Sequence, residues 1–221
     1  MPVNYAVSWK IKMKKLVVFC TGQSGSGKST FIEKFLSTED FYNLKSATTR
    51  SMREGEIDGR EYYFCNEEYF KTEKFATLLW VNEQFWKPGQ PKWLYGVPEF
   101  EVFDNLGYNF TYDVIEPKYV RQMIDWFRKK NLTKYYDFKI LWFQPVDNAE
   151  SIIDERKNMP DDKKVRKENT CNIKDFEYVH LRPDFVIKRL PQDGYLVYSY
   201  KRPKDGLSVA NLLRRVHVRQ K

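Results

Sequence analysis

Gly22-Gln23-Ser24-Gly25-Ser26-Gly27-Lys28-Ser29 fits the pattern G-x-x-x-x-G-K-[ST] at every fixed position, and the apolar run Leu16-Val17-Val18-Phe19-Cys20 leads straight into it. A strand, a glycine-rich turn and a helix start in this order make a phosphate-binding P-loop. The glycines let backbone N–H groups curl around an anion, and the new helix turns the positive end of its dipole toward it. Lys28 supplies a charge for the β- and γ-phosphates, and the Ser29 hydroxyl can ligate Mg²⁺. The ATP-binding set is therefore Gly22, Gln23, Ser24, Gly25, Ser26, Gly27, Lys28, Ser29 and Thr30, with Ser29 as metal ligand, Lys28 as catalytic cation and Mg²⁺ arriving with ATP.

Outward from this loop, 221 residues with 42% hydrophobic content can bury a proper core. No segment reaches the 18 or more apolar residues of a membrane span, and Met1-Pro2-Val3-Asn4 lacks the apolar core of a signal peptide. The cysteines, Cys20, Cys65 and Cys171, are odd in number and widely spaced, so they read as reduced packing residues of a cytoplasmic protein. His180 and His217 are the only histidines, which leaves no basis for a histidine-based metal site or triad. A net charge of +8 favours polyanionic ligands, although a solvated lysine-rich surface accounts equally well for most of these charges.

The spacing of apolar residues predicts a helix from Thr30 to Leu36, another over 67–78, and a third opened by Pro117 that runs to Lys130 with Val120, Met123, Ile124 and Phe127 inside. Strands are expected at Asn109–Val114, Lys139–Phe143, Asp184–Lys188 and Tyr195–Tyr200, a loop at Trp86–Lys92, a charged helical stretch from Ala149 to Glu168, and a closing helix at 207–216. Residues 45–65 read as a polar loop ending in aromatics. Alternation of strands and helices implies an α/β fold with a mostly parallel sheet flanked by helices, of the P-loop NTPase type. In such folds ligands bind at the carboxyl ends of the strands.

A second anion site stands in Ser46-Ala47-Thr48-Thr49-Arg50-Ser51-Met52-Arg53-Glu54-Gly55-Glu56-Ile57-Asp58-Gly59-Arg60-Glu61-Tyr62-Tyr63-Phe64. Two arginines three apart, hydroxyls before them and a tyrosine after suit the capture of a phosphate monoester. On composition alone, a solvated charged loop is an equal reading. The stretch resembles the nucleotide-monophosphate loop of the guanylate kinase family, S-x-T-T-R-x-x-R-x-G-E-x-x-G-x-x-Y-x-F, at every fixed position. The resemblance covers about residues 16–70. It implies that Ser46 contacts the base of the acceptor and that Arg50, Arg53 and Tyr62 hold its phosphate. Leu94-Tyr95-Gly96 is similar to the family's Y-Y-G turn, which adds Tyr95 to the phosphate contacts. Thr111-Tyr112-Asp113 stands where the family has D-x-D, so Asp113 faces the base. Arg156 and Arg166 resemble the lid arginines that close on the triphosphate and act in catalysis.

Residues 1–14 read as an N-terminal extension before the first strand, and 15–221 as a single domain of the kind the resemblance implies. That domain divides into a core (15–44), a nucleoside-monophosphate-binding insertion (about 45–107), and core plus lid (108–221, the lid about 149–170). It also departs from the family. Leu79 precedes Trp80 where the family has a base-reading glutamate before tryptophan, with Glu83 as a stand-in, and Thr111 replaces the first D of D-x-D. Lys87-Pro88-Gly89 lies in a lengthened segment before Tyr95, and the lid lacks the R-G-x-E spacing.

The activity implied is ATP-dependent phosphorylation of a nucleoside monophosphate, GMP or dGMP first, with ATP and the monophosphate as partners and no membrane or nucleic acid. Three alternatives stay open: a broader (deoxy)nucleoside monophosphate kinase or a kinase of another small phosphorylated acceptor, a non-catalytic interaction module, and a nucleic-acid kinase or ATPase. The last is suggested by Trp126-Phe127-Arg128-Lys129-Lys130 and Tyr198-Ser199-Tyr200-Lys201-Arg202. No role attaches to the basic tail from Arg214 to Lys221, and the oligomeric state is not legible.

Overall fold

The structure, a computed structural model, describes residues 14–36, 41–81, 93–147, 149–155, 163–164, 167, 183–190 and 194–199. The run Lys15–Gly22 is strand β1, and its residues Val17, Val18, Phe19 and Cys20 are all buried. A strand apolar on both faces belongs in the middle of a parallel sheet covered on two sides, and β1 takes that place. The elements that follow are α1 (Lys28–Phe35), β2 (Phe41–Asn43), β3 (Ala47–Thr48), β4 (Tyr63–Phe64), α2 (Glu67–Thr72), β5 (Phe75–Val81) and β6 (Trp93–Pro98). The remainder are α3 (Glu99–Asp104), β7 (Phe110–Val114), α4 (Pro117–Lys129), β8 (Tyr136–Phe143), α5 (Ala149–Asp154), β9 (Phe185–Arg189) and β10 (Tyr195–Ser199).

The main sheet has the order β10-β9-β8-β1-β7-β2. Strands β2, β7, β1, β8 and β9 are parallel, and only β10 runs antiparallel, on β9. This is the mostly parallel α/β sheet that the sequence implies. Side chains alternate across it. Leu16, Val18 and Cys20 pack with Phe31, Ile32 and Leu36 of the α1 segment. Val17 and Phe19 face the other way, onto Val120, Met123 and Phe127 of α4. Pro117 occupies the first turn of α4, where its missing N–H costs nothing. Trp126 and Phe127 are core residues, the Trp126 indole N–H donates to Glu99 (2.7 Å), and Lys130 pairs with Glu99 (3.0 Å). The first of the two basic-aromatic clusters is thus the end of an amphipathic helix.

A second sheet, β4-β3-β6-β5, is where the sequence reading needs correction. The helix expected over 67–78 stops at Thr72. Asn66 caps its start by accepting from the Tyr69 N–H (3.1 Å), and Phe75–Val81 is instead a strand antiparallel to β6. Phe70 and Phe75 stack at 4.9 Å across that junction, so the same apolar side chains satisfy a short helix followed by a strand. Leu94-Tyr95-Gly96, expected as a turn, lies inside β6, with Gly96 directly under Phe75 and the Thr77 carbonyl. The polar loop at 45–65 contributes β3 and β4 to this sheet. Strand β2 and helix α3 have no counterpart in the expected elements. The Trp86–Lys92 loop, the helix at 207–216, residues 1–13 and Tyr200-Lys201-Arg202 lie outside the described residues.

Candidate active site

Strand β1 ends at Gly22, whose φ of 144° lets the chain leave the sheet; a Cβ there would run into the backbone of Phe143 on β8. The loop then closes on itself. The Ser26 hydroxyl donates to the Gln23 carbonyl (2.7 Å), and the Lys28 ammonium donates to the Gly22 and Gln23 carbonyls (2.7 Å each). Gln23 is fully buried and its side-chain oxygen accepts from the Val146 N–H (3.3 Å), which pins the loop to the segment after β8. Gly27 caps α1 in the left-handed region (φ 87°), and the Phe31 N–H donates to the Gly27 carbonyl (3.0 Å) as the first helical bond. Gly25 is also left-handed (φ 85°). Ser24 and Thr30 are half-buried, and Ser29 is exposed in the first turn of α1. All nine residues of the expected triphosphate set therefore lie on one strand–turn–helix unit.

The arginine loop that follows β2 leaves the same edge of the sheet. Strands β1, β7 and β2 are parallel, with Val18 and Asn43 both opposite Tyr112, so the chain following β2 emerges at the carboxyl edge where β1 enters its glycine turn. From there the loop is tied to β6. The Thr48 hydroxyl donates to the Leu94 carbonyl (2.9 Å) and accepts from the Arg50 N–H (3.1 Å), while the Thr49 hydroxyl accepts from the Leu94 N–H (2.9 Å). Gly55 and Gly59 turn the chain back in left-handed conformations. Asp58 accepts from the Phe64 N–H (2.7 Å), closing the loop onto β4.

Within this loop Arg50 is 4% exposed. Its guanidinium donates two bonds to Glu56 (2.9 and 3.0 Å) and one to the Ser51 carbonyl (2.7 Å), and its Nε is buried with no hydrogen-bond partner among the described residues. The guanidinium lies over the rings of Tyr62 (5.3 Å) and Phe64 (5.4 Å), and Tyr62 meets Tyr95 edge-on at 5.7 Å. Glu56 also accepts from the Arg53 N–H (2.8 Å) and pairs with the Arg53 guanidinium (3.5 Å). Burial alone would raise the Glu56 carboxyl; its bonds to Arg50 and Arg53 outweigh that and hold it below its ordinary value. Burial pushes the Tyr95 phenol up to about 12, so it remains a hydrogen-bond donor. Glu56 is the residue that sequence reasoning passed over, although it stands in the quoted motif. A fixed acidic position between two arginines and a glycine was the available signal.

Ser46 is half-buried, and its carbonyl accepts from the Tyr63 N–H (3.0 Å). Asp113, opposite Phe19 on the strand beside β1, is 2% exposed, and its Oδ2 has no hydrogen-bond partner among the described residues. Burial, with the charge of Glu101 nearby, pushes its carboxyl up to about 7. Glu101 itself, 1% exposed on α3, had no signal in the sequence. It accepts from the Tyr42 hydroxyl (2.9 Å), the Lys45 N–H (2.9 Å) and the Tyr63 hydroxyl (2.6 Å), fastening the segment before Ser46 to both sheets. Arg156, Arg166 and Glu83 lie outside the described residues; of Leu79 only the backbone is described, in β5 opposite Tyr95.

A mostly parallel α/β sheet whose central strand enters a glycine loop and a lysine-led helix defines a P-loop nucleotide-binding fold. Comparisons with known proteins narrow the class. The family model described as "Guanylate kinase" matches residues 12–79. A guanylate kinase of Synechococcus sp. is 51% identical over 95 residues, covering 41% of this chain and 49% of the relative. That of Caldanaerobacter subterraneus is 40% identical over 85 residues, covering 37% and 41%. The guanylate kinase of Rickettsia prowazekii aligns more widely, 26% identical over 191 residues, covering 80% and 87%. The solved guanylate kinase of Anaplasma phagocytophilum superposes with a TM-score of 0.47 at 17% identity, covering 94% of this chain and 85% of that one. The matched stretches are similar to guanylate kinases, and the family-model match lies in the first third of the chain. The chain spans less than half the length of the first curated relatives it matches.

Proposed function

We propose that the chain transfers the γ-phosphoryl group of ATP to the phosphate of a nucleoside monophosphate, GMP or dGMP first. The observation that carries this is Arg50, a buried guanidinium aimed by Glu56 and flanked by Tyr62 and Tyr95, in a loop rising from the same sheet edge as an intact P-loop. In the transfer, an acceptor phosphate oxygen attacks the γ-phosphorus and the bond to the β–γ bridging oxygen breaks, leaving ADP and a nucleoside diphosphate. The attacking oxygen is already ionised, so no general base is needed; the protein supplies positioning and charge.

Each part has an assigned role in this reading. Lys28 and the backbone of residues 23–28 hold the donor. Arg50, Arg53, Tyr62 and Tyr95 hold the acceptor phosphate, Ser46 and Asp113 face its base, and Arg156 and Arg166 close over the transferred group. The described residues hold no group of three His, Cys, Asp or Glu side chains that could cage a metal. The fit is to Mg²⁺ carried by the triphosphate, with the exposed Ser29 hydroxyl as its protein ligand and neutralisation of phosphate charge as its chemistry. The domain limits given above belong to the same reading, as does a cytoplasmic setting; among the described residues no helix is long and apolar enough to cross a membrane.

The test is ADP release from ATP·Mg²⁺ against GMP, dGMP, AMP, CMP, UMP, dTMP and ribose phosphates, with Lys28→Ala as the blank. Turnover of GMP and dGMP alone supports the reading as stated. Turnover of several monophosphates identifies a broader kinase in which Leu79 has removed base selection. No turnover with any acceptor, while ATP still binds, refutes it.

A further inference from the structure

The parallel edge that receives β1 also receives β9. Gly22 pairs with Phe143 on β8, and Phe143 pairs with Ile187 on β9, so Lys188 and Arg189 continue past the paired end of β8, on the glycine-loop side, where β9 pairs only with β10. Strand β10 returns antiparallel from Tyr195, opposite Arg189. The two residues that face each other across this hairpin both reach the loop. The Tyr195 hydroxyl donates to the Gly27 carbonyl (3.0 Å), and its ring packs edge-on against Phe31 (5.1 Å) and Phe35 (6.1 Å) of α1. The Arg189 stem lies on Gly27 itself. A Cβ at that glycine would sit 2.9 Å from Arg189 Cδ and 3.1 Å from the Tyr195 hydroxyl. The guanidinium is bonded directly to Cδ, so it stands at the turn immediately before Lys28, and Arg189 is only half-buried.

We propose that Arg189 is a cation of the donor-nucleotide site, held over the phosphate-binding turn by packing on Gly27 and contacting the polyphosphate of the bound nucleoside triphosphate, with Tyr195 as its positioning residue. The inference rests on the nucleotide-binding reading above. A flat guanidinium with five N–H donors suits phosphate oxygens that the backbone N–H groups of the loop leave unbound. It adds a donor-site charge from the far end of the chain, outside the matched residues 12–79.

The experiment compares wild type, Arg189→Met, Arg189→Lys and Tyr195→Phe by calorimetric titration with ATP·Mg²⁺ at two salt concentrations, together with KM for ATP and for GMP and thermal unfolding. Methionine keeps an unbranched apolar stem at Gly27 and removes the guanidinium with its charge and donors. Arg189→Met is expected to weaken ATP binding about tenfold, the loss of one charge-assisted contact, and to flatten the salt dependence, with the KM for GMP unchanged in a variant that still unfolds cooperatively. Arg189→Lys should recover part of the affinity. Tyr195→Phe should weaken ATP binding several-fold without moving the KM for GMP. Unchanged ATP affinity in Arg189→Met, while wild type binds, overturns this inference alone. A wild-type chain that does not bind ATP overturns the nucleotide-site reading and this inference with it.

Discussion

Replacing Glu56 with glutamine tests the acceptor site without touching any group assigned to the substrate. In the structure Glu56 takes two hydrogen bonds from Arg50, one from the Arg53 N–H, and the charge of both guanidinium groups. The Arg50 and Glu56 side chains are 3% and 14% exposed, so solvent screens the pair weakly. A bond between charged groups is worth about 1.5–3 kcal/mol, and removing one partner of a buried pair costs up to about 3–5 kcal/mol. Glutamine keeps one acceptor oxygen, which places Glu56→Gln at about 2 kcal/mol. If that energy holds Arg50 and Arg53 in the binding arrangement, losing it depopulates the competent loop and raises the apparent acceptor KM about thirtyfold.

The assay is steady-state ADP release with GMP varied at saturating ATP, beside urea unfolding. The KM for ATP should not move. The Glu56 carboxyl is held below its ordinary value, so the pair's contribution is complete above the unfolded carboxylate pKa and is lost only as pH falls through the lower folded one. The difference from Glu56→Gln should accordingly be flat from about pH 6 to 8. An acceptor KM within about twofold of wild type in a folded variant would refute the argument that Glu56 aims the arginines.

Three further outcomes follow from the geometry. Asp113→Asn should stabilise the protein increasingly as pH rises: the folded carboxyl titrates at about 7 against an ordinary 3.8, so the native state binds the extra proton between these values and wild type loses stability across that window, by a few kcal/mol. Urea midpoints at pH 5 and pH 8 measure this, and a gap that does not widen with pH would contradict it. Glu101→Ala should cost about 2–4 kcal/mol in urea unfolding because two tyrosine hydroxyls and the Lys45 N–H lose their acceptor; a cost under about 0.5 kcal/mol would mean that water replaces the carboxylate freely. Gly27→Ala should abolish ATP binding, since the new methyl meets both left-handed strain at φ 87° and the Arg189–Tyr195 pair; retained affinity would show that the hairpin can retreat from the loop.

Local chemistry made parts of this molecule readable in one dimension. The run from Leu16 to Ser29 dictates its own geometry, because an apolar strand, glycines that tolerate positive φ and a lysine-led helix allow few other arrangements. The helix Pro117–Lys129 was equally legible, with its proline start and one apolar face. The arginine loop proposed as an anion site was picked out by its residue types and spacing alone. The stretch 67–81 misled for a physical reason. Its aromatic and aliphatic residues satisfy a helical period locally, and only the antiparallel partner β6, brought in from Trp93 to Pro98, makes the second half a strand.

Sequence alone thus determined the glycine-rich turn between β1 and α1 and the parallel character of the main sheet, both consequences of short-range order and hydrophobic period. The tertiary structure decided which charges act together. Glu56 clasps Arg50, Glu101 on α3 fastens the segment before Ser46, and Arg189 reaches Gly27 from more than 150 residues further along the chain. These contacts depend on strand order and on which side chains share a sheet edge, and no local pattern encodes that, because the partners are brought together by the burial of other residues.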